Sequence, residues 1–186
     1  MTPTETLKHE HKIILMVLDA AEREAEFIQD TGKINADRVD KMLDFFRNFA
    51  DRCHHAKEEK YLFTEMQKQG ISGDIGPIAI MMHEHEEGRQ RVKAMAEALP
   101  QARTGDLSAI KSLKKNLLAY VKLLQAHIDK EDNVLYPMAD RLFKPQDQKA
   151  LSEAFEKVEA EEMGEGVHEK YHQLAHDLAK STLGLS

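Results

Sequence analysis

The sequence predicts an all-α protein: an antiparallel, up-down four-helix bundle with an additional C-terminal helical tail. Three observations predict it. Helix-favouring Ala, Leu, Glu, Lys, Met and Gln dominate the 186 residues, and no alternating run rich in Val, Ile and Thr reads as a strand. Four long segments repeat apolar residues at steps of three and four. Gly and Pro are few and cluster between those segments.

The first helix is expected over about residues 4–30, capped by Thr4 and ended by Thr31-Gly32. Leu7, His11, Ile14, Leu18, Ala21 and Ala25 form its apolar stripe, with a histidine inside it. The second is expected over about residues 36–69, capped by Asn35, with Gly70 beyond its end. Val39, Leu43, Phe46 and Ala50 lead down one face to His54, Glu58 and Leu62. Pro77 suits the first turn of the third helix, which is expected to end at Leu99-Pro100. Ile78, His85, Val92 and Leu99 form a heptad seam along it. Gly105-Asp106 opens the fourth, whose stripe holds Leu113, Leu117, Tyr120, Leu124, His127, Glu131 and Leu135. Pro137 is expected to kink or end it. Beyond Lys144-Pro145 the tail reads as a helix over about residues 146–162, a Gly164-Glu165-Gly166 break and a last helix over about residues 167–180. The domain division is therefore a bundle over residues 1–144 and a helical extension over residues 145–186 that packs on it.

The net charge is −7, with both signs mixed along every helix. That fits a protein in water and not a nucleic-acid binder, which needs a basic stripe. The longest apolar run, Ile13 to Leu18, is far too short to span a membrane. The start lacks the pattern of a secretory signal. The lone cysteine, Cys53, permits no internal disulfide and reads as a helix-face residue. A cytoplasmic location is the expectation.

The chemistry lies in the ten histidines. One pattern occurs twice. The first helix has His9-Glu10-His11 and the third has His83-Glu84-His85. The second has His54-x-x-x-Glu58-Glu59 followed by Leu62-Phe63, and the fourth has His127-x-x-x-Glu131-Asp132 followed by Leu135-Tyr136. Residues four apart share a helix face, so His54/Glu58 and His127/Glu131 are each a ready pair of metal donors. With His11 and His85, four facing helices deliver imidazoles and carboxylates to one level of a bundle core. A lone histidine on an apolar stripe is ordinarily a satisfied core residue. This whole set is not, because each unpaired buried charge costs several kcal/mol without a cation.

Register leaves alternatives open. His55/Glu59 is also a four-residue pair, and His55 stands as a fifth imidazole candidate. His9 and His83 fall among charged residues and read as exposed or as supports. Two six-coordinate metals offer about twelve positions. Four imidazoles, two bridging carboxylates and a bridging oxide or hydroxide leave roughly two open, or about one if His55 binds. Imidazole and carboxylate donors without thiolate suit iron or manganese, and zinc is an allowed substitute.

At these residues the sequence resembles the hemerythrin-like family, in particular its bacterial His-His-Glu cation-binding domains. Glu10-His11, Cys53-His54-His55-Ala56-Lys57-Glu58-Glu59 with Leu62-Phe63, Glu84-His85, and residues 127–137 (HIDKEDNVLYP) carry the resemblance, over about residues 5–143. It implies an antiparallel four-helix bundle around a non-haem di-iron site, with His11, His54, Glu58, His85, His127 and Glu131 in the ligand positions. The spacing on the fourth helix and the single stripe histidine on the third depart from the oxygen-carrying members. The chain looks closer to relatives that react with dioxygen, peroxide or nitric oxide, or that serve iron homeostasis. One such group repairs iron–sulfur centres and carries a further cysteine-bearing domain that residues 1–186 do not include.

The leading expectation is a di-iron protein that binds or reduces a small oxidant, with an electron donor or protein partner not readable from the sequence. The alternatives are an iron-homeostasis or oxygen and redox sensor module acting through a protein partner, and a static metal-stabilised bundle. His168, His172 and His176 recur at steps of four in the tail. They read as a polar helix face, as a stripe able to bind metal, or, with Tyr171 and His172 supporting the centre, as a cap over the open end of the bundle.

Overall fold

The structure, a computed structural model, describes residues 1–164 and 166–180. The described residues are helical with short connections and contain no strand. Glu165, in the predicted Gly-Glu-Gly break, lies outside the described residues.

Helix α1 runs Pro3–Thr31. Its cap is Thr2 rather than Thr4. The Thr2 hydroxyl accepts from the Glu5 N–H at 3.2 Å while the Glu5 carboxylate accepts from the Thr2 N–H at 2.7 Å. Pro3 explains the shift, since its fixed φ and missing N–H cost nothing in a first turn. Thr4 is instead buried and donates to Asp140 at 2.7 Å.

The second rod is continuous over residues 36–68, but it is not α-helical throughout. It starts as α2 (Ala36–Phe45), widens into π-helical turns at Phe46–His55 and Glu58–Leu62, and finishes as α3 (Phe63–Lys68). Helix α4 (Pro77–Arg103) passes through Pro100 instead of stopping there. Leu99 and Ala102 are buried on either side of Pro100, and that burial carries the last turn past the one hydrogen bond the proline removes. Helix α5 (Leu107–Lys130) is capped by Asp106, which accepts from the Ala109 N–H at 2.7 Å. A π-helical turn, Glu131–Leu135, joins it to α6 (Tyr136–Leu142). Pro137 therefore neither ends nor breaks the rod. It falls in the first turn of α6, just past the widened turn. The tail comprises α7 (Pro145–Lys157), a π-helical turn Val158–Met163, and α8 (Val167–Lys180).

Helix α1 packs on α5 and on α8, α4 packs on α5, and α2 packs on α4 and α8. The Val158–Met163 turn lies against Phe46–His55, and α7 lies against α1 and Glu58–Leu62. The apolar core falls into two clusters. One gathers Val17, Leu18, Phe45, Phe46, Leu117 and Tyr120; the other gathers Leu7, Leu62, Phe63, Ile78, Leu135 and Tyr136. His11, His54, Glu58, His85, His127 and Glu131 are buried alongside both.

Candidate metal centre

The six predicted residues, His11, His54, Glu58, His85, His127 and Glu131, come together in the interior, and none exposes more than 1% of its surface. They form two donor groups. His11, His54, Glu58 and Glu131 make one; His55, Glu58, His85 and His127 make the other. Glu58 belongs to both. Glu131 also faces both, with Oε2 3.2 Å from His11 Nε2 and Oε1 3.0 Å from His127 Nε2. His85 Nε2 lies 3.3 Å from Glu58 Oε2 and 3.0 Å from His127 Nε2. The fifth imidazole candidate, His55, is part of the second group, stacked on His85 with ring centroids 3.8 Å apart.

Each of these imidazoles is held through Nδ1 by a carboxylate. His11 is held by Asp132 at 2.8 Å, His54 by Glu10 at 2.9 Å, and His55 by Asp51 at 3.3 Å. His85 is held by Glu59 at 2.7 Å and His127 by Glu84 at 2.8 Å. An imidazole fixed through Nδ1 offers Nε2 to whatever lies at the centre, and the anionic partner raises its donor strength. Cations close the outer layer. Arg89 reaches Asp51 at 2.9 Å and Glu59 at 2.6 Å, Lys57 pairs with Glu10, and Lys130 pairs with Glu84.

The arrangement is left with buried polar atoms that no hydrogen bond satisfies: Glu58 Oε2, both Glu131 carboxylate oxygens and His55 Nε2. Atoms so placed normally cost about 1–3 kcal/mol each. All of them belong to the two donor groups, so a cation is the partner that fits them. Charge tells the same story. Burial opposes the charged form of His11, but the hydrogen bond to Asp132 and the nearby Glu131 carboxylate outweigh it and push its pKa up to about 9. Burial likewise opposes charging His127, yet the Glu131 charge and the hydrogen bond to Glu84 lift it to about 10. Bound protons stand in here for the positive charge that metal would bring. His55 goes the other way. Burial and the neighbouring His85 hold it well below its ordinary value.

Several roles were not readable beforehand. Glu10 and Glu84 sit between the histidines of each His-Glu-His motif, yet each reaches across to the other helix of its hairpin. Glu59 and Asp132, one residue past each Glu58/Glu131, cross between hairpins to His85 and His11. Their repetition in both copies was the available signal. Tyr136 donates to Glu58 Oε1 at 2.6 Å and its ring stacks 5.4 Å from that of His11. Phe63, its counterpart in the other copy, stacks 6.0 Å from His85.

His9 and His83 are exposed. Cys53 lies on the buried face of its rod, and burial followed by the charge of Glu10 pushes its thiol up to about 12. Tail residue His168 lies 3.4 Å from Glu10, behind His54. His172 stacks 4.5 Å from His168, and Tyr171 donates to Asp44 at 3.1 Å, away from the donor groups. Glu10, Glu159 and His168 are close enough to hold a cation, and the Lys57 ammonium, against both carboxylates, already serves as one.

This is the donor chemistry of a cation-binding helical protein, and comparison with known proteins gives the class its name. The hemerythrin HHE cation-binding domain matches residues 2–139, so the chain belongs to that family. Among individual relatives, an uncharacterised Mycobacterium tuberculosis protein is 23% identical over 181 residues, covering 97% of this chain and 70% of its own length. A Mycobacterium bovis protein, also uncharacterised, matches equally. The iron-sulfur cluster repair protein YtfE of Edwardsiella ictaluri is 28% identical over 113 residues, 59% of this chain and 50% of that protein. No solved structure matches the chain. Among the described residues, no helix is long and apolar enough to cross a membrane.

Proposed function

We propose that the protein is a non-haem di-iron protein that binds or reacts with a small oxidant: dioxygen, peroxide or nitric oxide. In this reading the four rods form an antiparallel hemerythrin-like bundle over residues 1–144, and residues 145–186 are an extension laid on it. His11 and His54 would hold one iron, and His55, His85 and His127 the other. Glu58 and Glu131 would bridge them. The carrying observation is the set of unsatisfied carboxylate oxygens shared by the two donor groups. Iron would supply reversible one-electron chemistry at a Lewis-acidic pair. Manganese or zinc fits the same donors.

The chain's own part is preorganisation. Five carboxylates fix the imidazoles, and the apolar clusters exclude water. Tyr136 places a phenolic proton at Glu58, beside the group with fewer imidazoles and therefore more room for an exogenous ligand. A second reading, an iron-homeostasis or redox sensor module with a protein partner, draws support from the likeness to YtfE. The contact of tail residue Glu159 with Lys57 and, through it, Glu10 also favours that reading.

The test is metal analysis of anaerobically purified protein, then a visible spectrum as air is admitted. About two irons per chain with new near-ultraviolet absorption supports the di-iron reading. Reversal on removing oxygen indicates carriage, and irreversible oxidation indicates reduction or sensing. Zinc alone, or a metal-free protein of full stability, sinks it.

A further inference from the structure

A cleft of about 220 Å³ opens between the second rod and α4, with α5 behind it. Its floor is His55 and His85, from the donor group with three imidazoles. Its walls are Phe46, Gly88, Val92 and Tyr120. The size is the first point. An engineered cavity of roughly 150 Å³ already holds benzene, and a diatomic gas or peroxide needs only a fraction of this space.

Gly88 is the second point. A glycine inside a helix costs about 0.5–1 kcal/mol relative to alanine, so it asks for a reason. Neither backbone nor packing supplies one here. Gly88 has no positive φ, and a Cβ would sit 3.5 Å from Tyr120 and 3.6 Å from Leu124, in ordinary contact. What the missing side chain provides is the hollow.

The polar groups of the cleft are the third point. Asp51 is the lone carboxylate of the lining, and it is engaged by Arg89 at 2.9 Å and His55 at 3.3 Å. Arg47 and Lys93 stand exposed among the lining residues. Tyr120 is buried, its phenol pushed upward by burial and by the charge of Asp51. Arg89 is spent on Asp51 and Glu59 and Lys93 has Glu97 4.0 Å away, which leaves Arg47 as the cation of the lining with no ion pair of its own among the described residues.

We infer that this cleft binds a compact organic carboxylate, its apolar body against Phe46, Gly88, Val92 and Tyr120 and its anionic group toward Arg47 and Lys93. The inference deepens the proposed function by giving the centre an organic ligand beside its oxidant. Binding itself rests on the cleft and not on the metal. The probes are benzoate, benzyl alcohol and benzylamine, titrated calorimetrically into the full chain as purified and into iron-loaded and zinc-loaded protein. Benzoate is expected to bind saturably in all three, at least about tenfold tighter than benzylamine. Arg47→Glu should weaken benzoate several-fold and leave benzyl alcohol unchanged. Gly88→Leu should abolish both. Gly88→Ala, which only adds a methyl group in ordinary contact, should weaken both while keeping the fold. No saturable binding, or affinity indifferent to probe charge, overturns the inference. So does benzoate binding that requires iron and survives Gly88→Leu, which would place the carboxylate on the metal. A protein that holds no iron yet binds benzoate in the cleft would sink the di-iron reading and leave this one standing; iron-loaded protein that ignores every probe would do the reverse.

Discussion

The two hairpins of the internal repeat carry the same triad and treat it differently. In the first, Glu10 holds His54 and pairs with Lys57; in the second, Glu84 holds His127 and pairs with Lys130. Lys57 is fully buried, with Glu159 of the tail on it at 2.5 Å and Phe155 beneath it at 5.8 Å. Lys130 is 40% exposed. The same residues at the same spacing are thus a sealed core network on one side and a surface ion pair on the other. The difference comes from what covers them. A tail packed on one flank changes the dielectric around a chemically identical triad, and with it the energetic weight of each charge.

The comparison is broken most severely at the residue it does not divide. Glu58 serves both donor groups, so Glu58→Ala should remove both metals, whereas His11→Ala should spare the group of three imidazoles; metal analysis separates the two. His54→Ala and Glu131→Ala should each lower iron content and melting temperature together. Next in size is Lys57→Met, which leaves Glu10 buried without its cation and should cost about 3–5 kcal/mol. Lys130→Met should cost less than about 1 kcal/mol. Denaturant titration of the two variants decides the matter, and equal losses would mean that the tail does not shape the difference.

A pH series sharpens it further. In metal-free protein His11 and His127 have pKa values of about 9 and about 10, above the ordinary 6.5. Groups raised on folding stabilise fully below their unfolded value and lose that contribution as pH rises through the folded one. Metal-free protein should therefore lose stability between about pH 6.5 and about pH 10. Metal-loaded protein, with both imidazoles neutral on a cation, should change little over that range. The smallest effect is expected from Glu159→Gln, which keeps the shape and one acceptor for Lys57. It should lower stability slightly and leave metal content intact.

The helices and the stripe histidines were legible because a 3.6-residue period marks one face and His11, His54, His85 and His127 all fall on it. The carboxylates behind the imidazoles were not. Glu10 and His54 are 44 residues apart, and their meeting depends on the rotation of one rod against another, which periodicity within a rod does not encode. The expected stop at Pro100 failed because burial of Leu99 and Ala102 carries the helix past the proline, and the expected end at Pro137 failed because that proline falls in the first turn of α6, where its missing N–H costs little. Tyr136 was hidden by the period itself. Five residues past Glu131, it would point about 140° away in an α-helix. The π-helical turn Glu131–Leu135 brings it back toward the same face.

That widened turn constrains how the chain can change. A π-helical turn arises when one residue more than the α-helical count occupies the same span, and this rod has one beginning at Glu131, as the second rod does at Glu58. Lineages of such a protein can exchange side chains freely on the outer surface. They can lose a widened turn only together with its extra residue. Forced into an ordinary α-helix at unchanged length, residues 131–135 would swing Tyr136, Ala139 and Phe143 about 100° off the core together, whereas loss of one residue there would leave Tyr136 four past Glu131 and on the same face, so the widened turn and its extra residue belong together.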